Sequence, residues 1–326
     1  MRDFGHRGDS IKVRIPTDAS GMLGRKCPSR KCGKYFKIKP GTGLTGKDLP
    51  CRCPYCGFTG PTSRFNTADQ IDFAKAAALT QISREIHDSL KGLEFEQKPT
   101  GPFGIGLSVK VTGRPQTYRH YYREKELETD VVCDQCTLAY AIYGAFAFCP
   151  DCGSHNSFNI LSKNLDLAEK LLMLAVGQDR VLAEHLVGDA LENVVSAFDG
   201  FGREICRAAA PKASNPADAV RFQNLVGACG RVQKLFAFDM MTAVSVQDWD
   251  FACKCFQKRH LLAHKLGVID DNYVQATKDP AAMVGRKVRI ESQEVKRLSE
   301  IVRQLGAKLT SQLLPPQPTN KPTAET

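Results

Sequence analysis

The segment from Trp249 to Leu266 reads WDFACKCFQKRHLLAHKL and brings Arg259, His260 and His264 within one stretch of helical text. His260 and His264 are four residues apart, so a helix stacks them on one face, next to Arg259. Phe251, Cys255, Leu262 and Leu266 recur at helical spacing and are the expected buried stripe, with the histidines turned away from it. Imidazole is the side chain that gives and takes a proton near neutral pH, and guanidinium is a permanent cation whose fork matches phosphate oxygens. Together they suit RNA cleavage without a catalytic metal: the 2′-hydroxyl attacks the neighbouring phosphorus, His moves a proton, and Arg stabilises the charge that builds on the phosphorane. Asp270 and Asp271 follow the motif and read as a solvated loop.

The second chemical signal is thiol. Of thirteen cysteines, eight form close pairs. Cys133-Asp-Gln-Cys136 and Cys149-Pro-Asp-Cys152-Gly153 are two CxxC turns twelve residues apart, each supplying half of a tetrahedral site. Cys27-Pro-Ser-Arg-Lys-Cys32 and Cys53-Pro-Tyr-Cys56-Gly57 form a looser version, with a first turn two residues longer and Cys51 as a competing fifth thiol. Cys27, Cys32, Cys53 and Cys56 are assigned as ligands and Cys51 as the spare. Four protein ligands leave no open position, so the expected cofactors are two structural zinc ions, with no catalytic metal. Cys206, Cys229, Cys253 and Cys255 lie in helical text without paired turns, the Cys253-x-Cys255 spacing setting those two on different helix faces, and read as buried, inert thiols. Both paired blocks resemble zinc ribbons, small β-hairpin folds, over about 60 residues.

These groups need scaffolds of different kinds. Residues 1–21 lack periodicity and read as a mobile basic arm, and residues 22–65 are too rich in Gly, Pro, Cys and Lys to build an apolar core. From 66 to 100 a linker helix is predicted, with Thr67 as N-cap, Gly92 as stop, and Ile71, Ala74, Ala78, Ile82, Ile86 and Leu90 at helical spacing. Residues 101–160 hold a strand at Leu107–Val111 and the second ribbon. Residues 161–314 are expected to be all-helical: Leu165–Cys206 as one bent helix or two, then a helix from Pro216 towards Leu225, Asp248–Leu266 ended by Gly267, a short extended piece at Lys287–Ile290, and Glu291–Leu314. The tail 315–326 is rich in Pro and Thr and reads as disordered. The fold class is thus multidomain, two zinc-ribbon modules joined by a helix and followed by an all-α bundle.

Composition is that of an ordinary globular chain, 42% hydrophobic and 25% charged. No apolar run reaches the ~20 residues of a membrane helix, and the N-terminus lacks a secretory signal, so a cytoplasmic protein with reduced thiols is expected and no membrane partner. Fourteen of the 45 basic residues but only four of the 35 acids lie in residues 1–65, which therefore hold the whole net charge of +10. Lys31, Lys34, Lys37, Lys39 and Arg52, interleaved with Tyr35, Phe36, Tyr55 and Phe58, form either a phosphate-and-stacking surface for nucleic acid or a small packed core with solvated lysines. No Walker-type phosphate loop is present, and Gly101-Pro-Phe-Gly104-Ile-Gly106 lacks the strand and helix of a dinucleotide site.

Arg259-His260-Leu-Leu-Ala-His264 resembles the Rx4–6H motif of HEPN domains, including the polar residue after the Arg. Gly267-Val-Ile-Asp270 and the order of a long early helix, a motif helix and a C-terminal helix extend the resemblance over roughly residues 160–314. The resemblance implies a helical bundle that dimerises and, in many members, a metal-independent endoribonuclease of toxin–antitoxin, antiviral or RNA-processing systems. Carried onto this chain, Arg259 and His264 are the catalytic pair and His260 orients them. RNA and a second copy of the chain are the implied partners, with an antitoxin or regulatory protein as a further one. Some members bind nucleotides or RNA without cutting, so two alternatives stand: a nucleic-acid-binding regulator with a HEPN-like dimerisation module, and a scaffold whose ribbons bind protein.

Overall fold

The computed structural model describes residues 11–43, 50–97, 107–210, 217 and 219–315. The Gly101–Gly106 glycines, Pro216 and the tail beyond 315 lie outside them. The chain divides into two compact units, one running to Val132 and including Leu138–Tyr143, the other made of Cys133–Thr137 and the chain from Gly144.

In the first unit, β1 (Leu23–Lys26) and β2 (Tyr35–Ile38) form an antiparallel hairpin, and β7 (Thr129–Val132) and β8 (Ala139–Ile142) form another. The sequence predicts separate ribbon modules; instead β2 pairs antiparallel with β8, Lys37 opposite Ala141 and Ile38 opposite Tyr140, giving one sheet of order β1-β2-β8-β7. A lone hairpin leaves two edges of unpaired backbone groups, and joining removes one from each. Two further hairpins, β3 (Pro50–Arg52) with β4 (Thr59–Pro61) and β5 (Phe95–Gln97) with β6 (Leu107–Val109), stand apart from this sheet.

Helix α1 (Ala68–Lys91) runs between its predicted stops. The Gln70 amide donates to Thr67 Oγ1 at 3.2 Å and Thr67 N–H donates to Gln70 Oε1 at 3.0 Å, a capping box, while Gly92 closes the other end. Buried Gln70 also donates to the Gly24 carbonyl at 2.9 Å and to the Tyr122 hydroxyl at 2.7 Å. Glu124 completes this network: it accepts from Gly24 N–H at 2.6 Å and from the hydroxyls of Tyr35 and Tyr122. Burial and the adjacent carboxylate push both phenols up. One buried carboxylate thus ties β1, β2 and the 114–124 segment together.

The second unit is helical. Gly177, at φ +83°, breaks the long periodic stretch into α2 (Ser157–Ala175) and α3 (Arg180–Ala209), and Asp179 caps α3. After α4 (Leu225–Phe236) come α5 (Val246–Lys265), α6 (Asp271–Thr277) and α7 (Ser292–Leu313). Leu161, Leu165, Leu191, Val195, Phe198, Val302 and Leu305 share one core. The expected helix before Leu225 does not form over Val220–Asn224. Phe222 N–H donates at 2.7 Å to buried Asp199, and its ring lies against Gly202, which holds this stretch in a turn. Cys206 and Cys255 are fully buried, Cys229 nearly so and Cys253 half-buried, and burial keeps Cys206 and Cys255 protonated with pKa values of about 12. No helix among the described residues is long and apolar enough to cross a membrane.

Two substitutions test these supports. Glu124→Gln leaves the network short of a charged acceptor and is expected to cost about 2 kcal/mol in urea unfolding of the first unit. In Gly202→Ala the new Cβ would meet the Phe222 ring at 2.4 Å, an overpacking expected to cost about 1–3 kcal/mol in the second unit.

Candidate functional site

Two sulfur cages come together from four turns. The Sγ atoms of Cys27, Cys32, Cys53 and Cys56 lie within 4.8 Å of one another, as do those of Cys133, Cys136, Cys149 and Cys152. Individual pairs stand 3.6 Å (Cys27 to Cys56), 3.8 Å (Cys32 to Cys53), 3.5 Å (Cys133 to Cys152) and 3.5 Å (Cys136 to Cys149) apart. Tetrahedral zinc with Zn–S of about 2.3 Å needs sulfurs roughly 3.8 Å apart, so both cages fit. Cys51 is excluded: it is buried in β3 with its Sγ towards the Arg52 carbonyl at 3.9 Å.

The backbone of each turn is built for thiolate. Amides of Tyr55 and Cys56 point at Cys53, that of Phe58 at Cys56, that of Ser29 at Cys27 and that of Cys136 at Cys133. The residue after each second cysteine is left-handed: Gly33 at φ +57°, Gly57 at +73°, Thr137 at +62° and Gly153 at +74°. The longer first turn fits because Cys32 and Gly33 N–H both bond to the Ser29 carbonyl. Without a cation the four thiols of a cage oppose each other: hydrogen bonds from Cys136 and Cys149 bring Cys133 down to about 7, while its neighbours drive Cys149 far up. A dication binding all four as thiolates removes that conflict.

The second cage belongs to the helical unit. Asp134 accepts from Asn159 of α2 at 2.6 Å, and Asn156, just before α2, holds the backbone of Ala145 and Ala147. Between them His155 packs against Phe146 and Phe148 and meets buried Glu204 of α3 at 3.4 Å. The turns of this cage are thereby tied to the start of the helical bundle.

At the other end of interest, α5 carries the Arg-His-His group. His260 and His264 are exposed, with ring centroids 4.8 Å apart. The Arg259 side chain is only 12% exposed, and its Nε lies 3.2 Å from Glu192 Oε1 of α3. That Nε makes no hydrogen bond, so the contact is an ion pair approached off the N–H direction. Where a Cβ on Gly188 would stand, Leu262 is 3.7 Å away, so α3 and α5 run antiparallel here, which carries His185 and Asp189, 3.6 Å apart, towards the end of α5. Leu266, expected at the end of the buried stripe, is 86% exposed because it is the left-handed cap of α5 at φ +51°. Trp249, Ala252, Cys255, Phe256 and Leu261 are the buried face. Asp270 caps α6 by accepting from Tyr273 N–H at 2.9 Å. Glu192 was hidden from sequence reading because its partner is 67 positions along the chain and nothing local marks it.

The basic residues of the first ribbon divide. Lys31 and Lys39 are exposed, Lys34 sits 4.9 Å over the Tyr55 ring, and Arg52 is half-buried. Lys37 is withdrawn from any phosphate: it is buried against Asp18, 2.7 Å away. Burial opposes ionisation of Asp18, yet hydrogen bonds from Lys37, Ser20 and the Met22 amide bring it down to about 2 from an ordinary 3.8. A lowered folded pKa means this pair stabilises above about pH 4 and loses its effect as pH falls through about 2. Tyr35 and Phe36 are buried, and Phe36 and Phe58 both pack on Phe65 with centroids 6.0 and 5.9 Å apart. Of the two readings of these aromatics, packing of a small core is the one the geometry supports.

No family model, no curated protein and no solved structure matches this chain.

Thr137 is a β-branched residue where the other three turns carry glycine, a strain of about 1–2 kcal/mol. Thr137→Gly is expected to raise the unfolding free energy of the zinc-loaded protein in urea by about 0.5–1 kcal/mol, and Gly153→Val to lower it. Cys51→Ser is expected to leave metal content unchanged, whereas Cys53→Ser loses one ion, as read by metal analysis.

Proposed function

We propose that this chain is a homodimeric endoribonuclease of HEPN type, with Arg259 and His264 as its catalytic pair and two zinc ions as structural supports. The observation that carries the reading is the grouping at the end of α5: two exposed imidazoles beside a guanidinium that a carboxylate holds in place. Here His264 accepts the proton of the RNA 2′-hydroxyl as its oxygen attacks the adjacent phosphorus. The P–O5′ bond breaks, the 5′-oxygen takes a proton from water, His264 releases its own to solvent, and a 2′,3′-cyclic phosphate remains. Arg259 faces the non-bridging oxygens, His260 orients the pair, and Glu192 acts as a positioning residue. Exposed Lys31 and Lys39 supply further phosphate contacts.

Apolar groups bared around the site favour a symmetric partner. Leu266 is 86% exposed, and Val176, the C-cap of α2, and Val181, in the first turn of α3, are 78% and 77% exposed. A second copy covering them would set two Arg-His groups in one cleft. A second reading rests on the burial of Arg259, 12% exposed and neutralised by Glu192: a nucleic-acid-binding or protein-interaction regulator whose helical unit serves dimerisation, with RNA, an antitoxin or a regulatory protein as partner.

Purified zinc-loaded protein incubated briefly with total RNA in EDTA is expected to cut, leaving cyclic phosphate ends. Arg259→Ala and His264→Ala, matched for folding and zinc, are expected to lose at least about 10²-fold in rate, and Glu192→Gln about tenfold. RNA that is bound but intact with every substrate would establish the regulator instead.

A further inference from the structure

Past the end of α5 the chain doubles back on itself. Residues 267–269 and 285–288 lie antiparallel, with Val268 opposite Lys287. Val288 N–H donates to the Gly267 carbonyl at 2.8 Å, Ile269 N–H to the Arg286 carbonyl at 2.9 Å and Gly285 N–H to the Ile269 carbonyl at 2.9 Å. Gly267 stands three positions after His264, so this pairing fixes Arg286 and Lys287 beside the end of α5 that carries the histidines. Between the paired segments, α5, α6 and the start of α7 lies a cavity of about 450 Å³. Its wall is apolar at Ile269, Ala282 and Val288, and Met283, 60% exposed, adds to it. Five cations line it against three carboxylates, and their partners divide them into two sets. The inner charges are satisfied. Lys258, 6% exposed, donates to the two oxygens of Glu294 at 2.7 and 2.8 Å and to the Arg289 carbonyl at 2.9 Å. Lys254 donates at 2.8 Å to Asp279, which also accepts from the Tyr273 hydroxyl at 3.2 Å. The outer charges are not. The Arg289 side chain is 88% exposed and meets Glu291 only at 3.7 Å, while Arg286 and Lys287, both exposed, have no side-chain partner among the described residues. Lys265 is equally free, and seven positions on from Lys258 it lies on the same side of α5, next to His264.

We propose that this cavity and its basic edge hold one unpaired ribonucleotide of an RNA strand that runs past His264, its phosphate on Arg286 and Lys287 and its base in the apolar recess. Solvated surface cations need no recess beside them, and a cluster that serves only the fold neutralises itself, as the two inner pairs do. An apolar hollow edged by cations left over is the chemistry of a group that is apolar at one end and anionic at the other. Only a single strand offers such a base, because in a duplex it is stacked and paired, so the cavity selects unpaired RNA. The inference rests on the reading of α5 as a ribonuclease site and adds to it a place that binds the strand without touching the reacting atoms.

Binding and cleavage, measured separately on the full zinc-loaded chain, keep this proposal apart from the nuclease reading. In a His264→Ala background, fluorescence anisotropy with a short labelled single-stranded RNA at several salt concentrations reads binding alone. Adding Arg286→Ala/Lys287→Ala, with circular dichroism and metal content unchanged, is expected to weaken binding about tenfold and to flatten the slope of log affinity against log salt by about 1.4, or about 0.7 for each phosphate contact. Ala281→Trp, which fills the cavity, is expected to weaken binding without changing that slope. Lys170→Ala/Lys308→Ala, which removes the same charge from exposed positions on α2 and α7, is expected to leave affinity within about twofold. With His264 intact, Arg286→Ala/Lys287→Ala is expected to raise KM about tenfold and to leave kcat within about twofold. RNA that the Arg286/Lys287 variant binds and cuts as the parent does would overturn the proposal and leave the nuclease standing. RNA that is bound but never cut, with the same losses in the variants, would remove the nuclease and keep the cavity as an RNA site. Equal losses in the two double variants, a duplex bound as tightly as the single strand, or free 5′-AMP that binds the cavity without displacing RNA would each overturn it, as would a parent chain that binds no RNA.

Discussion

The gathering of eight thiols into two cages, each close enough to hold a metal ion, is the constraint on which the N-terminal half depends. Its buried apolar side chains are few, chiefly Phe36, Phe65 and Tyr140, and its strands are three or four residues long. Hairpins of that length are marginal alone in water. Two cages of four sulfurs fix the ends of those hairpins, and the turns that present the sulfurs need left-handed backbone at four places. The pairing of β2 with β8, the Glu124 network and the seating of α1 build outward from strands so held.

The helical unit draws its stability from another source. Its core is continuous along α2, α3, α5 and α7, and close approaches at Gly202 and Gly306 let Phe222 and Leu161 pack against helix backbone. Such a frame suits chemistry, because Arg259, His260 and His264 project from one rigid helix and Glu192 from its neighbour. The second cage adds a local brace through Asn156, Asn159 and the His155–Glu204 pair. The sulfur cages thus organise the smaller scaffold, while the Arg-His-His group stands on the helical one.

Much of this was legible in the residues. Paired CxxC spacing marked both cages down to the exclusion of Cys51, and Thr67, Gly92 and Gly267 marked helix ends, because such signals are local. What escaped was long-range. The β2–β8 pairing joins residues about a hundred positions apart and leaves no trace in either strand. The turn before Leu225 depends on Asp199 and Gly202 in another helix, and α6 is too short for periodicity to reveal. Lys37 read as a solvent-facing cation because Asp18, its partner, sits in text that has no pattern. The Arg-His-His face was legible from spacing alone, whereas its ion pair to Glu192 was not.

The account stands most directly on the two metal–sulfur centres, and zinc K-edge X-ray absorption of the purified protein, with zinc quantified per chain, tests them. Two zinc ions per chain, each with four sulfur neighbours at about 2.3 Å and no lighter ligand, is the result it predicts. A single ion, or a shell in which nitrogen or oxygen replaces sulfur, would contradict it.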